Sequence, residues 1–126
     1  MPRVERAVPV LFVQDAKRSI HWYTRVLGFH VLFDYGEYAG LALGDAQIHL
    51  AQRNPPEGVR LKGAFYLRLA SGIDDYIAQI AATGHAFTSS LKDHDYGMRE
   101  ATLRDPDGHD IYIGQPLRPG GQPLSG

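Results

Sequence analysis

Apolar and polar positions along the 126-residue chain fall into short runs with two distinct spacings. Ala7 to Val13 (AVPVLFV) is continuously apolar, the pattern of a strand buried on both faces. Pro9 within it cannot donate to a ladder, which places the strand at a sheet edge or a subunit junction. Asp15 follows as an N-cap, and Ile20, Tyr23 and Leu27 recur at helical spacing until Gly28 ends the helix. Three strand-like runs come next: His30 to Asp34, Tyr38 to Leu43 and Gln47 to Gln52. Gly36, Gly44 and Asp45 supply their turns.

The order then repeats. Asn54-Pro55-Pro56-Glu57-Gly58 breaks regular structure, Ala64 to Leu69 is strand-like, and Ile73, Ile77 and Ile80 mark a helix closed by Gly84. Strand-like stretches follow at 87–91, 99–104 and 110–114. Strand–helix–strand–strand–strand thus occurs twice, with the helix-ending glycines 56 residues apart. The pattern predicts one α+β domain over 1–126. Its modules span about 6–53 and 62–115, with a linker at 54–61 and a Pro- and Gly-rich tail at 116–126 that has nothing to pack. The competing expectation is an ordinary α+β sandwich with accidental symmetry.

Composition narrows the chemistry. With 44% hydrophobic and 21% charged residues, the chain can bury one core without staples. The absence of cysteine excludes disulfides, Cys nucleophiles, iron–sulfur clusters and thiolate zinc sites together. Thirteen basic and fourteen acidic residues leave a formal charge of −1, so neither nucleic acid nor an anionic membrane is the expected partner. The apolar runs fall short of the roughly 18 residues of a membrane helix. No signal-peptide pattern precedes Asp15, and the expected location is cytoplasmic. There is no GxSxG, P-loop or dinucleotide fingerprint. Asp74-Asp75 opens a helix, where carboxylates suit the positive end of the dipole.

Several segments taken together carry a resemblance. Ala7-Val8-Pro9-Val10-Leu11 leads to Asp15, Trp22-Tyr23 and Leu27-Gly28-Phe29, and the first half closes on Phe33 and Tyr38-Ala39-Gly40. The second half carries Tyr96-Gly97-Met98-Arg99-Glu100 and Leu103-Arg104-Asp105-Pro106-Asp107-Gly108. In this order and spacing, over about residues 6–115, the chain resembles the vicinal-oxygen-chelate superfamily of glyoxalases, extradiol dioxygenases and bleomycin-resistance proteins, and most of all the last branch. The resemblance implies two βαβββ modules, each a half-open curled mixed sheet, enclosing a cavity between them. It also implies a homodimer whose first strand is exchanged around the proline that Pro9 matches, with pockets at the subunit interface.

Enzymes of the superfamily hold a divalent metal with His, Glu or Gln from four strands. The matching positions here are Val8, His49, Phe65 or a neighbour, and Tyr112. Only His49 can ligate, and one imidazole does not hold a catalytic metal. His21, His30, His85, His94 and His109 fall in a helix, beside caps or in turns, with no paired spacing. No metal, cofactor or catalytic residue is therefore expected.

The resemblance places Phe33 and Tyr38 against a flat heteroaromatic ligand, Tyr96 near a pocket tryptophan with Arg99 just beyond it, and Tyr112 in place of the last metal ligand. His49 alternates with Ile48 and Leu50, as a cavity-lining group or a core filler. Trp22, Tyr23, Phe29 and Tyr76 are expected to pack helices on sheets. Bleomycin-binding relatives are markedly acidic, whereas this chain is nearly neutral and has Leu32, Tyr35 and Gly36 where they carry acids. Bleomycin itself is thus not the expected ligand. The expectation is a metal-free homodimer that sequesters a small aromatic compound, such as an antibiotic, without changing it. A lyase or dioxygenase of the same fold, and a domain binding a protein partner through an exposed edge, are the alternatives.

Overall fold

Asp15 starts the first helix as its position demands: its side chain accepts from the Arg18 N–H at 3.1 Å. Gly28, at φ 79°, turns the chain out of that helix in a conformation that L side chains rarely adopt. The computed structural model describes residues 1–118 and 121–123. They form two compact units, Met1–Lys62 and Gly63–Gly126.

Unit 1 contains β1 (Val10–Val13), α1 (Ala16–Arg25), β2 (His30–Asp34), β3 (Tyr38–Leu43) and β4 (Ala46–Gln52). The sheet order is β1-β4-β3-β2, with β1 parallel to β4 and the rest antiparallel. β1 begins after Pro9, which lacks the N–H a ladder needs, and lies at the sheet edge. It is not buried on both faces as its apolar run predicts. Leu11 and Val13 are buried while Val10 and Phe12 are exposed, because α1 covers only one face of the sheet. The strand pairs with β4 of its own chain, and the Pro9 carbonyl accepts from the His49 N–H at 2.9 Å. On the helix side Ala39, Leu41, Ile48 and Leu50 are buried with Tyr23, Leu27 and Phe29. The Tyr23 ring meets Trp22 and Phe29 edge-on, at centroid distances of 4.9 and 5.7 Å.

Unit 2 contains β5 (Ala64–Arg68), α2 (Ile73–Ala82), β6 (Ser89–Asp93), β7 (Met98–Arg104), β8 (Asp110–Arg118) and β9 (Gln122–Pro123). Its order is β5-β8-β7-β6, again with one parallel pair, β5 and β8. Ala101, Leu103, Ile111 and Ile113 form the buried layer with Ile73, Ile77 and Ile80. The fold is therefore α+β, a βαβββ module occurring twice. The tail expected from residue 116 begins inside β8, and Gln122–Pro123 folds back to pair with its end. Residues 119, 120 and 124–126 of that tail lie outside the described residues.

Two details tie each helix to its sheet. The Gln52 side-chain oxygen accepts from the Ala16 N–H at 2.9 Å, and the Gln115 oxygen accepts from the Ile73 N–H at 3.0 Å. Each satisfies a donor at the first helical residue, which has no partner within its own helix. His109 is not a surface turn histidine: it is buried, and its Nδ1 accepts from the Gly63 N–H at 2.7 Å. Asp105 fixes that turn by accepting from Asp107 and His109 N–H groups, both at 2.9 Å.

Candidate ligand-binding site

In unit 1 the site starts with a bulge. His30 and Val31 pair with Ala42 and Leu41, but Phe33 then pairs with Gly40, one residue out of step. A one-residue slip sends a side chain to the opposite face of a sheet. Here it carries Phe33 away from the helix and onto the face of Tyr38 and His49. Gly40 lies under the ring, where a Cβ would come within 2.7 Å of Phe33 Cζ. Phe33 stacks on Tyr38 at 6.2 Å with planes 12° apart, and meets His49 edge-on at 5.3 Å. The Tyr38 hydroxyl and His49 Nδ1 are hydrogen-bonded at 2.8 Å. Tyr35 closes the far side of Phe33 at 5.1 Å. His49 therefore belongs to a polar-edged aromatic cluster, not to the core layer of Ile48 and Leu50.

In unit 2 the face away from α2 carries Tyr66 and Tyr112. They are register partners on the parallel strands, and their rings are 6.4 Å apart and nearly parallel. They are 42% and 40% exposed, enough open ring surface for a ligand to reach. Glu100 accepts hydrogen bonds from both the Tyr66 and the Tyr96 hydroxyls. Burial first, and then the bond to Glu100, push the Tyr66 phenol well above the ordinary tyrosine range. For Tyr96 the bond to Glu100 leads the upward shift. His94 stacks on Tyr96 at 4.9 Å, and its Nε2 is 3.8 Å from the Glu100 carboxylate. Gly114 gives the Tyr66 ring its space, since a Cβ there would meet Cζ at 2.6 Å.

The structure brings Phe33, Tyr38 and His49 together in one unit. In the other it puts Tyr112 on β8, stacked with Tyr66, and Tyr96 in the turn before β7, bonded to Glu100. It does not bring Arg99 with them. Alternation on β7 puts Arg99 on the helix side, with Ala101 and Leu103. There its guanidinium donates to Asp93 at 2.6 Å and to Asp74 of α2 at 3.2 Å. The Arg99 bond holds the Asp93 carboxyl below the usual carboxylate range. Asp74 thus anchors the helix to the sheet as well as favouring its start. Tyr66 and Glu100 are the residues that sequence reasoning missed. Period-2 alternation from Tyr112 through its register partners leads to both, once the parallel pairing of β5 and β8 is known.

Among the described residues no three His, Asp or Glu side chains are grouped to hold a metal ion. The four positions that the resemblance matches to metal ligands, Val8, His49, Phe65 or a neighbour, and Tyr112, offer one imidazole between them. That set does not fit a divalent cation, whose sites need three or more converging His or carboxylate donors. Among the described residues no helix is long and apolar enough to cross a membrane.

Two βαβββ modules with open aromatic faces define a glyoxalase-type fold. The chain belongs to the glyoxalase/bleomycin resistance protein/dioxygenase superfamily, whose family model matches residues 4–113. No curated protein matches it significantly. Among solved structures it is similar to TioX from Micromonospora sp. ML1, at 21% identity and a TM-score of 0.77, over 89% of this chain and 99% of that one. It is also similar to a bleomycin-binding protein complexed with bleomycin, at 25% identity and a TM-score of 0.73, over 89% and 98%. A third is a lactoylglutathione lyase from Agrobacterium tumefaciens, at 16% identity and a TM-score of 0.71, over 89% and 94%. TioX and the lyase speak for the fold alone.

Proposed function

We propose that this chain is a cytoplasmic small-molecule binding protein of the bleomycin-resistance type, which sequesters a planar aromatic compound without changing it. The observation that carries the reading is the Phe33–Tyr38–His49 cluster, where superfamily enzymes place a metal ligand at the His49 position. Rings at 5–6 Å, with a hydroxyl–imidazole pair at one edge, suit a flat ligand with polar atoms on its rim. The protein works as a homodimer in which β1, paired within a single chain with β4, is exchanged around Pro9; Tyr96 and Tyr112 give unit 2 ring contacts of its own. The exposed Val10 side chain of β1 supports that assembly, because it leaves apolar surface uncovered. Sequestration needs affinity alone: at micromolar protein, a ligand of Kd about 1 nM (about −12 kcal/mol) is almost wholly bound.

A thermal-shift screen of planar aromatic compounds, followed by titration of each hit against Phe33→Ala, tests this reading. A hit raises Tm in the unsubstituted protein, since any ligand preferring the native state stabilises it. Loss of the ring weakens binding about ten-fold. Turnover of a hit, or stoichiometric zinc, iron or manganese in protein purified without chelators, would overturn it in favour of a metal-dependent enzyme.

A further inference from the structure

Glu100 stands among rings, with His94 and the exposed Arg68 as basic groups on its face. Tyr66 donates to one of its carboxylate oxygens and Tyr96 to the other. Tyr112 lies parallel to Tyr66, and His94 is stacked on Tyr96 with its Nε2 3.8 Å from Oε1. Lys92 is the cross-strand neighbour of Glu100, yet it is exposed, and among the described residues no lysine or arginine forms an ion pair with this carboxylate. Arg99, next in the chain, is committed on the other face to Asp93 and Asp74.

A carboxylate offers about four lone-pair positions, and two phenols use two of them. The Glu100 side chain is only 13% exposed, so its remaining acceptors look largely onto aromatic surface. An anionic ligand is repelled there. A neutral aromatic ligand strips water from the carboxylate and returns no charge, which is costly. A protonated amine does neither. Its N–H groups donate to the free lone pairs in charge-assisted bonds, and the π faces of Tyr66, Tyr112 and Tyr96 favour its charge.

We infer that the Tyr66–Glu100–Tyr96 cage of unit 2 binds the ammonium group of a small organic amine. The inference rests on the small-molecule reading above and adds a basic nitrogen to the ligand's description. The requirement for N–H donors points to a primary or secondary amine, because a quaternary ammonium leaves the free lone pairs of Glu100 without partners.

The test compares 2-phenylethylamine with its neutral counterpart 2-phenylethanol by NMR titration of the full chain at pH 8. The amine binds about ten-fold tighter than the alcohol, in line with one charge-assisted hydrogen bond plus cation–π contact. Its amide perturbations centre on Tyr66, His94 to Glu100 and Tyr112. Glu100→Gln, which keeps the shape and removes the charge, brings the two probes to equal affinity. The perturbation map on the unsubstituted chain stands whether or not Glu100→Gln folds. Equal affinity of the two probes overturns the cage and leaves the small-molecule reading intact, which the aromatic screen judges by itself. An amine preference that survives Glu100→Gln, or perturbations confined to other residues, also overturns it.

Discussion

On the helix side the two units repeat one another almost residue for residue: Ala39, Leu41, Ile48 and Leu50 in unit 1, and Ala101, Leu103, Ile111 and Ile113 in unit 2, all buried. On the opposite face they diverge. His49 and Tyr112 both stand three residues before the glutamine that bonds the helix start, yet one is an imidazole and the other a phenol. Tyr38 and Glu100 stand one residue before matching buried alanines, yet one is a phenol bonded to an imidazole and the other a carboxylate accepting from two phenols. A packed layer admits few substitutions, because a change of even a methylene is felt by its neighbours. The open face carries no such restriction, and there the duplicated fold holds two different chemistries: a ring cluster in unit 1 and a phenol-bound carboxylate in unit 2.

The largest expected effect tests the repeated half of this comparison. Asp15 caps α1 with its own side chain, so Gln52 is one of two supports for that helix start. Gly72 precedes α2 at φ 82° and has no side chain to cap it, which leaves the buried Gln115 as the tie to Ile73. Gln115→Ala therefore costs about 2–3 kcal/mol and Gln52→Ala about 1 kcal/mol, the first leaving a buried N–H without a partner. Urea unfolding of both variants measures the difference. Equal losses would mean that the two helix starts are held in the same way after all.

A second pair of substitutions addresses the open faces. Gly40→Ala drives a methyl into Phe33, a ring hemmed in by Tyr35, Tyr38 and His49, and costs about 1–2 kcal/mol as overpacking. It also lowers affinity for a planar aromatic ligand. Gly114→Ala drives a methyl into Tyr66, whose half-exposed ring can swing into solvent, so the stability loss is under about 1 kcal/mol. What it removes is the Tyr66 bond to Glu100. Thermal melts of the two variants separate a closed cluster from an open one. A larger loss at Gly114 would reverse the assignment.

Much of this architecture was legible in the chain. Asp15, Gly28 and Gly84 mark helix ends by local chemistry, and β2 and β3 fall where alternation and turn glycines put them. The apolar run from Ala7 to Val13 shows that the segment can be buried but not how many of its faces are covered. Phe33 and His49 could be named from the resemblance. Their meeting depends on the bulge at Leu32, a register event between strands that no local pattern announces. Glu100 was hidden for the same reason: its partners Tyr66 and Tyr96 come from β5 and from the loop before β7. Arg99 is expected beside Tyr96, three residues before it in the chain, but alternation on β7 turns it to the helix side.

The smallest expected effect separates burial from hydrogen bonding in unit 2. Burial alone raises the Tyr76 phenol, burial and then Glu100 raise Tyr66, and the bond to Glu100 leads for Tyr96. A raised value in the folded state means that the native protein prefers the protonated phenol. The resulting stability is fully present below the ordinary tyrosine value of about 10 and is lost as pH rises through the folded value. Phenolate absorbance across an alkaline titration follows these groups directly. With Glu100→Gln, Tyr96 returns toward the ordinary value, Tyr66 falls part of the way because its burial remains, and Tyr76 does not move. Three phenols moving together would trace the shifts to general loosening of unit 2. Graded movement ties them to one carboxylate, the feature that sets the open face of unit 2 apart from the ring cluster of unit 1.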